Sequence, residues 1–317
     1  MRFSYIYTLG IAVGLALAAM GCTGNDSTKQ ETTAVDSTTP VYTELYALVD
    51  SLAKTIPARV GVAALNIETG DTFSYNGYEH MPMQSTYKFP LALMVMDEVD
   101  KGNLSLQQKV HISKEEMPEE THSPIRDKYG EKDIDITLHE IVYYTVAQSD
   151  NIGCDVLFSL LGGPARVDSF MHGKGFTGIK IVSTEADLHE DVDRQYDNWT
   201  EPVEMVNILS AFYQQKLISK TATDTLRNIM QRTTGGTGRI KGLLPAGTVV
   251  AHKTGTCAPG NGVNTINDIG VITMPDGKHL AMAVYVADAK ADIPVCEKVM
   301  AQIAKAIYDH QAIAPAR

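Results

Sequence analysis

The chain has 317 residues, of which 44% are hydrophobic and 21% are charged, a composition that suits one large globular domain or two interleaved ones. Its formal net charge of -11 argues against nucleic-acid binding, which needs a basic surface. An anionic ligand would therefore have to be met by a local cationic pocket.

The first 21 residues have the pattern of a secretory signal peptide. Arg2 supplies a positive start, and the apolar run that follows is too short for a stable membrane span. The run Ala19-Met20-Gly21-Cys22 is similar to a lipoprotein processing site, which would leave a lipid anchor on Cys22; plain secretion is the alternative. Residues 22–40 are polar, lack an apolar period and predict a flexible tether. We therefore expect a periplasmic protein or a membrane-anchored lipoprotein.

Hydrophobic periodicity predicts strands near both ends of the chain and helices between them. The apolar run from Leu91 to Met96 predicts a buried helix that begins near Ser85. Two charged segments, 115–133 and 183–199, are expected to be long surface loops, and loops of that length are uncommon unless functional. Further helices are expected over 41–52, 136–147, 151–161, 164–173, 202–215, 220–232 and 293–310, and strands over 59–67, 72–75, 248–254, 267–274 and 279–287.

This order of elements predicts an α/β (α+β) fold, in which an antiparallel sheet is flanked by the terminal helices and an all-helical domain is inserted. The sheet domain would comprise residues 41–80 and 230–317, and the helical domain residues 81–229 with an active-site loop at 183–199. We expect the functional site in the cleft between the two.

A serine followed three residues later by a lysine stands at the start of the predicted central helix, as Ser85 and Lys88. Residues three apart share one helix face, so the hydroxyl and the amine would point the same way. A helix N-terminus also offers free N–H groups and a positive dipole end, which can activate a serine and bind an oxyanion. Alone, this short pattern is a weak signal, and the downstream motifs decide its meaning.

Two more motifs follow in order. Ser149-Asp150-Asn151 lies at a predicted helix junction, and Lys253-Thr254-Gly255 is expected to end a strand. The ordered set S-x-x-K, S-D-N and K-T-G is the known signature of class A β-lactamases and penicillin-binding proteins. From about Val41 to its C-terminus, the chain resembles the class A (serine) β-lactamases of the branch found in Bacteroides-like bacteria. The run Gln195-Tyr196-Asp197-Asn198-Trp199 is similar to one found in that branch.

The resemblance implies that the chain hydrolyses the β-lactam ring of penicillins and cephalosporins through an acyl-enzyme, and so confers resistance. Ser85 would attack the carbonyl carbon, and Ser149 would relay a proton to the leaving nitrogen. Glu185, in the acidic loop, would activate the water that releases the acyl group. Either Lys88 or Glu185 would be the base of acylation. The resemblance leaves both open.

The same resemblance implies the residues that bind the substrate. Backbone N–H groups of Ser85 and Thr256 would form an oxyanion hole, and Asn151 would bond the side-chain amide of the substrate. Cations are needed to receive its carboxylate on a chain of net charge -11, and a guanidinium offers bidentate recognition that an ammonium does not. The expected carboxylate-binding set is Lys253, Thr254, Gly255, Thr256 and Arg239.

Three positions depart from the common family pattern. Ala186 follows Glu185 where proline is usual, so we expect the peptide bond between them to be trans. His189 stands where asparagine usually shares the deacylation water, and it would add a titratable group to the site. His122 occupies the place of an aromatic residue at the mouth of the site, either as a substrate contact or as a plain surface residue.

Cysteine spacing indicates neither a metal site nor a redox pair. If Cys22 carries lipid, Cys154, Cys257 and Cys296 remain, and we expect them to be buried small hydrophobes. The resemblance also implies that Cys257 lacks a disulfide partner, because Gln84 stands before the nucleophile where some relatives have a cysteine. No metal and no cofactor are expected, and the protein is predicted to be monomeric.

Two alternatives share most of these residues. One is a penicillin-binding DD-peptidase, which would lack a deacylating glutamate such as Glu185. The other is a sensor that is acylated once and does not turn over. The β-lactamase is the favoured interpretation because Glu185 is present.

Overall fold

The structure is a computed structural model that describes residues 40–259 and 262–313. The predicted signal peptide, the lipidation site at Cys22 and all but the last residue of the predicted tether lie outside the described residues. Within the described ranges, no helix combines the length and apolar character needed to cross a membrane.

The helices follow the predicted apolar segments closely. The two that agree residue for residue with the prediction are separated by Gly162-Gly163, and the second begins at Pro164; these residues interrupt helical hydrogen bonding. The helices are α1 (Pro40–Ala53), α2 (Lys88–Asp100), α3 (Pro124–Tyr129), α4 (Leu138–Ala147), α5 (Asn151–Leu161), α6 (Pro164–Gly173), α7 (Glu185–Glu190), α8 (Pro202–Tyr213), α9 (Lys220–Gln231) and α10 (Ile293–Ile313).

Strands from both ends of the chain share one antiparallel sheet, with the order β2-β1-β10-β9-β8. A turn at Pro275-Asp276-Gly277 joins its two longest strands. This confirms the predicted mixture of helices with an antiparallel sheet. The strands are β1 (Arg59–Asn66), β2 (Thr72–Tyr75), β3 (Met81–Pro82), β4 (Lys109–Ile112), β5 (Ile134–Thr137), β6 (Ile179–Lys180), β7 (Trp199–Thr200), β8 (Val250–Cys257), β9 (Asn264–Thr273) and β10 (His279–Ala289).

Hydrophobic cores lie on both faces of this sheet because alternate residues of a strand point to opposite faces. On β10, Val284 belongs to the core beneath α1 and α10, whereas Tyr285 belongs to the core that includes α2 and α8. Helix α2 is buried on all sides, which is why its apolar residues form a run rather than a stripe. Each fully buried leucine there contributes roughly 1.5–3 kcal/mol.

The middle of the chain is not purely helical, which corrects the prediction of an all-helical insertion. It also carries a three-stranded sheet, β3-β7-β6, and a two-stranded sheet, β4-β5. These strands are two to four residues long, too short for a periodicity to be visible in the sequence. The division at residues 81 and 229 remains a prediction.

Both predicted long loops contain helical turns, so the expectation of irregular loops is wrong. Segment 115–133 includes α3, which Ser123 caps by accepting from the Arg126 N–H. Segment 183–199 includes α7 and a 3₁₀ helix over Val192–Tyr196. Several of their polar residues, namely Ser123, Thr184 and Asp191, cap these helices. The same residue types are also common in loops, so the sequence alone does not distinguish a capped helix from a loop.

Strand β8 runs to Cys257, so Lys253-Thr254-Gly255 lies inside the strand and does not end it. Pairing continues through Thr256 opposite Ile266 on β9. Serine 85 likewise lies in a 3₁₀ helix, Gln84–Tyr87, and α2 begins at Lys88. The turn that carries Ser85 therefore lies beside β8, a strand that is paired with β9 along its whole length.

Candidate active site

Ser85 stands on a strained turn at the base of α2. The preceding residue, Gln84, has a φ of 49°, a left-handed conformation that costs a non-glycine residue about 1 kcal/mol. The turn is held from below by Asn267, whose Nδ2 donates to the carbonyl oxygens of Pro82 and Met83 at 2.7 and 3.1 Å. The fold therefore fixes the position of the Ser85 hydroxyl.

Lys88 is fully buried below Ser85, and all three of its ammonium hydrogens have an acceptor. Its Nζ donates to the Ser149 carbonyl oxygen at 2.9 Å and to Asn151 Oδ1 at 2.5 Å, and it pairs with Glu185 Oε1 at 2.9 Å. An ammonium group has three donors and no acceptor, so these contacts suit the charged form. Lys88 thus joins three segments of the site through one buried cation.

Glu185 Oε1 lies between the two members of the S-x-x-K motif. It accepts from the Ser85 hydroxyl at 3.4 Å while it pairs with Lys88. Its side chain is 11% exposed, so the carboxylate faces the cavity while remaining largely shielded from solvent. The predicted acidic-loop glutamate therefore meets the predicted nucleophile in the structure.

Asp155 fixes the start of α7, and with it the backbone of Glu185. Its carboxylate oxygens accept from the N–H groups of Glu185 and Ala186 at 2.8 and 2.9 Å. Thr184 adds a capping box with Asp187 at the same helix end. Burial raises the pKa of Asp155 to about 6, and the nearby Glu185 charge acts in the same direction.

We expect Asp155→Asn to change how stability depends on pH. The native protein binds a proton on Asp155 up to about pH 6, whereas the unfolded chain binds it only below its usual pKa near 4. Wild-type stability should therefore fall, relative to that of the variant, as pH rises from 4 to 7, by up to about 3 kcal/mol.

Urea unfolding midpoints at pH 4, 5, 6 and 7 would measure this difference. Asp127→Asn, which removes an exposed carboxylate on α3, is the matched control and should follow wild type. A constant gap between wild type and Asp155→Asn across this range would contradict the expectation.

Ser149 lies at the junction of α4 and α5 with a φ of 60°. Its hydroxyl accepts from Lys253 Nζ at 2.9 Å. The next residue, Asp150, is buried and caps α5 through the Gly153 N–H, and it also accepts from the Ile125 N–H. Asp150 is thus the N-cap of α5, and its contacts are structural.

Lys253 is fully buried on β8, between Ser149 and the core of the sheet. Burial lowers its pKa well below the ordinary lysine value, and the nearby Lys88 charge lowers it further. The charges of Glu185 and Asp268 oppose this shift. The charge state of Lys253 therefore depends on its buried neighbours.

Close approach of β8 to the nucleophile turn requires glycine at position 255. A Cβ there would lie 2.8 Å from the Met83 carbonyl oxygen and 3.1 Å from the Ser85 nitrogen. No side chain fits at these distances, so the K-T-G glycine lets the strand run beside Ser85. Thr256, the next residue of β8, is thereby also brought close to Ser85.

Arg239 is buried, and its hydrogen bonds go to protein groups. It donates to the Gly255 and Asn267 carbonyl oxygens at 2.9 Å and to Thr256 Oγ1 at 2.8 Å, and it pairs with Glu297 at 3.0 Å. Arg239 therefore orients the Thr256 hydroxyl in the structure, and its expected contact with a substrate carboxylate stays a prediction.

A cavity of about 430 Å³ opens over these residues. His122 and His189 stand at it as predicted: His122 Nε2 donates to the Gln148 carbonyl at 2.9 Å, and His189 lies 3.5 Å from Glu120. The cations Lys88, Lys253 and Arg239 are buried behind the residues that line the cavity. The cavity is lined by Gln84, Ser85, Thr121, His122, Ser149, Asn151, Glu185, Leu188, His189, Thr254, Thr256 and Cys257.

The cysteines form no disulfide among the described residues, and no metal-binding cluster is present there. Within residues 40–259 and 262–313, Cys154, Cys257 and Cys296 are all free. Cys154 and Cys296 are buried as expected, whereas Cys257 is partly exposed at the cavity. The part of the chain that the structure describes holds no cluster of His, Cys, Asp and Glu suited to a metal ion.

Sequence reasoning missed two residues of the site. Asp155 stands four residues after Asn151 on α5, so helical spacing could have placed both on one face. Thr121 accepts from Asn151 Nδ2 at 2.9 Å, and no motif points to it. Both orient residues that the motifs did identify.

Comparison with known proteins gives consistent matches. The model of the beta-lactamase enzyme family matches residues 41–311. Beta-lactamase VEB-1 of Pseudomonas aeruginosa is 42% identical over 265 residues, covering 83% of this chain and 88% of that protein. Extended-spectrum beta-lactamase PER-1 of Pseudomonas aeruginosa is 37% identical, covering 83% of this chain and 86% of that protein.

A solved structure agrees with these sequence matches. It is a representative of class A beta-lactamase from Bacteroides cellulosilyticus, with a TM-score of 0.82 and 33% identity. The alignment covers 86% of this chain and 98% of that one. The shared fold therefore extends over nearly all of the relative.

Proposed function

The chain belongs to the beta-lactamase enzyme family and hydrolyses β-lactams, and we propose that Ser85 does so through an acyl-enzyme that Glu185 helps to form and to hydrolyse. The observation that carries this proposal is the position of Glu185 Oε1 between the Ser85 hydroxyl and the Lys88 ammonium. Class A enzymes are serine hydrolases, and resistance to β-lactams follows from the activity.

In acylation, Ser85 Oγ bonds to the lactam carbonyl carbon and its proton passes to Glu185. Two observations support Glu185 over Lys88 as this base. The serine hydroxyl already donates to Glu185, and Lys88 has no lone pair while its three hydrogens are engaged. Lys88 then stabilises the carboxylate and orients Asn151, a role suited to a buried cation.

The oxyanion that forms on the carbonyl oxygen is met by the backbone N–H groups of Ser85 and Thr256. The close approach that Gly255 permits supports this assignment, because it brings the two backbones together. Preorganised donors of this kind are each worth roughly 10²–10³-fold in rate. When the C–N bond breaks, the nitrogen takes the Ser149 proton, and Lys253, which donates to that hydroxyl, supplies the charge that favours the transfer. The proton that Glu185 received from Ser85 then reprotonates the Ser149 oxygen, so Glu185 is again a carboxylate before deacylation.

The carboxylate of the substrate would lie at the hydroxyls of Thr254 and Thr256, with Lys253 behind them. Both threonines line the cavity, and Arg239 orients the Thr256 hydroxyl. A local cationic wall is what an anionic substrate needs on a chain of net charge -11. Asn151, Gln84 and His122 would contact the rest of the substrate.

In deacylation, Glu185 takes a proton from a water molecule, whose oxygen bonds to the acyl carbon. The bond from that carbon to Ser85 Oγ then breaks, and Oγ takes the proton from Glu185. Its carboxylate faces the cavity beside Ser85, which supports this second role. We propose that His189, one turn further along α7, contacts the same water because it also lines the cavity.

The decisive experiment is turnover of a chromogenic cephalosporin by purified protein beginning near Pro40, followed by mass spectrometry of the mixture. We expect many turnovers per molecule and a transient adduct on the peptide that contains Ser85. One stoichiometric burst without turnover would instead support a DD-peptidase or a single-use sensor. PER-1 is named as an extended-spectrum enzyme, so we propose that oxyimino-cephalosporins are substrates and should be included.

We further propose export by the N-terminal segment, lipid attachment at Cys22 and a monomeric, periplasmic or membrane-anchored protein. The apolar run before Cys22 supports export. Labelled palmitate incorporated by the full chain and lost in Cys22→Ala would support the anchor, and light scattering of the soluble part would report its mass. Absence of label would leave plain secretion.

A further inference from the structure

Gln195 contacts two separate parts of the active site, although the reaction steps derived above do not use it. It lies in the 3₁₀ helix Val192–Tyr196 and is partly buried. Its Oε1 accepts from Gln84 Nε2 at 2.9 Å and from the Thr265 hydroxyl at 3.2 Å. An amide oxygen has two lone pairs, so this one atom binds both the turn that carries Ser85 and the strand β9.

The contact with Gln84 holds the strained part of that turn. Gln84 directly precedes Ser85, is buried and has the left-handed φ of 49°. Strain of this kind persists only where surrounding contacts fix the conformation. Asn267 supports two carbonyl oxygens at the base of the turn, whereas Gln195 binds the residue next to the nucleophile. Thr265 is buried on β9 and gives Gln195 a second, fixed donor.

The same 3₁₀ helix is bound to α7, the helix that presents Glu185. Arg194 Nη1 donates to Asp187 Oδ1 at 2.7 Å, and Asp187 belongs to the capping box at the start of α7. Arg194 Nη2 also donates to the Ser183 hydroxyl at 3.2 Å. Because Gln195 adjoins Arg194, a shift of the 3₁₀ helix would be transmitted to α7 and so to Glu185.

We propose that Gln195 is a positioning residue, which keeps Ser85 at the distance from Glu185 that proton transfer needs. It does so by joining Gln84 to the segment 183–199. The proposal rests on the proposed function, in which Glu185 takes a proton first from Ser85 and later from water. The Ser85 hydroxyl lies 3.4 Å from Glu185 Oε1, which is long for a hydrogen bond between two oxygens, so a small further displacement would break it.

The test is the kinetics of Gln195→Met, which keeps the length of the side chain and removes the acceptor oxygen. A backbone hydrogen bond from the Met83 N–H to the Asn198 carbonyl oxygen, at 2.9 Å, is retained and should keep the two segments together. We expect kcat to fall about tenfold, because a misplacement of about 1 Å can cost roughly 100-fold. KM should change much less, and the fall should be equal for a penicillin and a cephalosporin, since Gln195 does not line the cavity.

Tyr196→Phe is the matched control within the same 3₁₀ helix. The Tyr196 hydroxyl donates to Asp288, which also accepts from Arg59 Nε at 2.7 Å. The control therefore loses a contact between this helix and the sheet but keeps the contact with Gln84. It should lower the thermal unfolding midpoint and leave kcat close to that of wild type. A merely structural role of Gln195 would make the two variants behave alike.

A double-mutant cycle identifies the partner through which Gln195 acts. Gln84→Met removes the donor of the 2.9 Å hydrogen bond, and its kcat should fall by a similar factor with both substrates. The variant that carries both substitutions should have a kcat close to that of each single variant, because all three lack the same contact. If Gln195→Met does not fold, Gln84→Met tests this contact from its other end.

Three results would overturn the proposal. They are an unchanged kcat in folded Gln195→Met or Gln84→Met, falls in kcat that multiply in the double variant, and an equal fall in Tyr196→Phe. Each leaves the proposed function intact, because the wild type still turns over. Absence of β-lactam turnover in the wild type would instead refute the proposed function itself.

Discussion

Ser85→Ala should lower kcat for a chromogenic cephalosporin by roughly 10⁴- to 10⁶-fold, as is typical when the nucleophile of a covalent mechanism is removed. Two neighbouring hydroxyls are already engaged in other contacts: Ser149 accepts from Lys253, and Thr86 donates to the Met83 carbonyl oxygen. The remaining residues still bind the substrate, so equilibrium affinity should change far less than the rate.

Stopped-flow turnover together with intact-protein mass spectrometry would measure both the rate and the adduct. Ser74→Ala, on the exposed side of β2, is the matched control and should keep full activity. A variant lacking Ser85 that still turned over at more than about a hundredth of the wild-type rate would refute a serine mechanism.

Glu185→Gln is expected to convert the enzyme into one that is acylated and then stalls. The amide can still accept from Lys88, but it cannot remove a proton from water. Loss of a positioned general base costs roughly 10²–10⁴-fold, so steady-state turnover should fall by that factor. Acylation should persist, because Lys88, the other candidate base of acylation, remains beside Ser85.

A penicillin mixed with this variant should leave a mass adduct that persists for minutes or longer, whereas wild type should show only a transient one. Glu190→Gln, at the other end of α7, is the control and should turn over normally. Normal turnover in Glu185→Gln would show that Glu185 is not needed for deacylation. Absence of any adduct would show instead that acylation cannot proceed without Glu185.

The outcome also separates the enzyme from its alternatives. A penicillin-binding protein or sensor is already stalled as an acyl-enzyme, so replacing Glu185 would change little. In this chain Glu185 contacts both Ser85 and Lys88, and α7 is capped to hold it there. Asp155 also holds the backbone of Glu185 in place through two hydrogen bonds, so the fold itself maintains that contact.

The sequence was most informative where chemistry and local structure require particular residue types. The motifs at Ser85, Ser149 and Lys253 predicted the candidate reactive groups, because a nucleophile, a proton relay and a cation need those side chains. Apolar periodicity, with Gly162-Gly163 and Pro164 between the two segments, predicted α5 and α6 to the residue. Such features depend on neighbours within a few positions of the chain.

Prediction failed where one residue type serves several local structures. The polar residues of 183–199 read as a loop, yet Thr184 and Asp187 form a capping box and Asp191 caps a 3₁₀ helix. The short strands β3 to β7 showed no periodicity, because two to four residues cannot display one. Their pairing partners come from distant parts of the chain.

By itself, the sequence indicated which groups are candidates for the reaction, in what order they occur and which segments form the main helices and strands. Only the tertiary structure decided their partners: Lys88 with Asn151, Asp155 with the Glu185 backbone, and Arg239 with Thr256 rather than with the cavity. The physical reason is that a buried charge must find compensating hydrogen bonds. Those partners are brought close by folding, not by spacing along the chain.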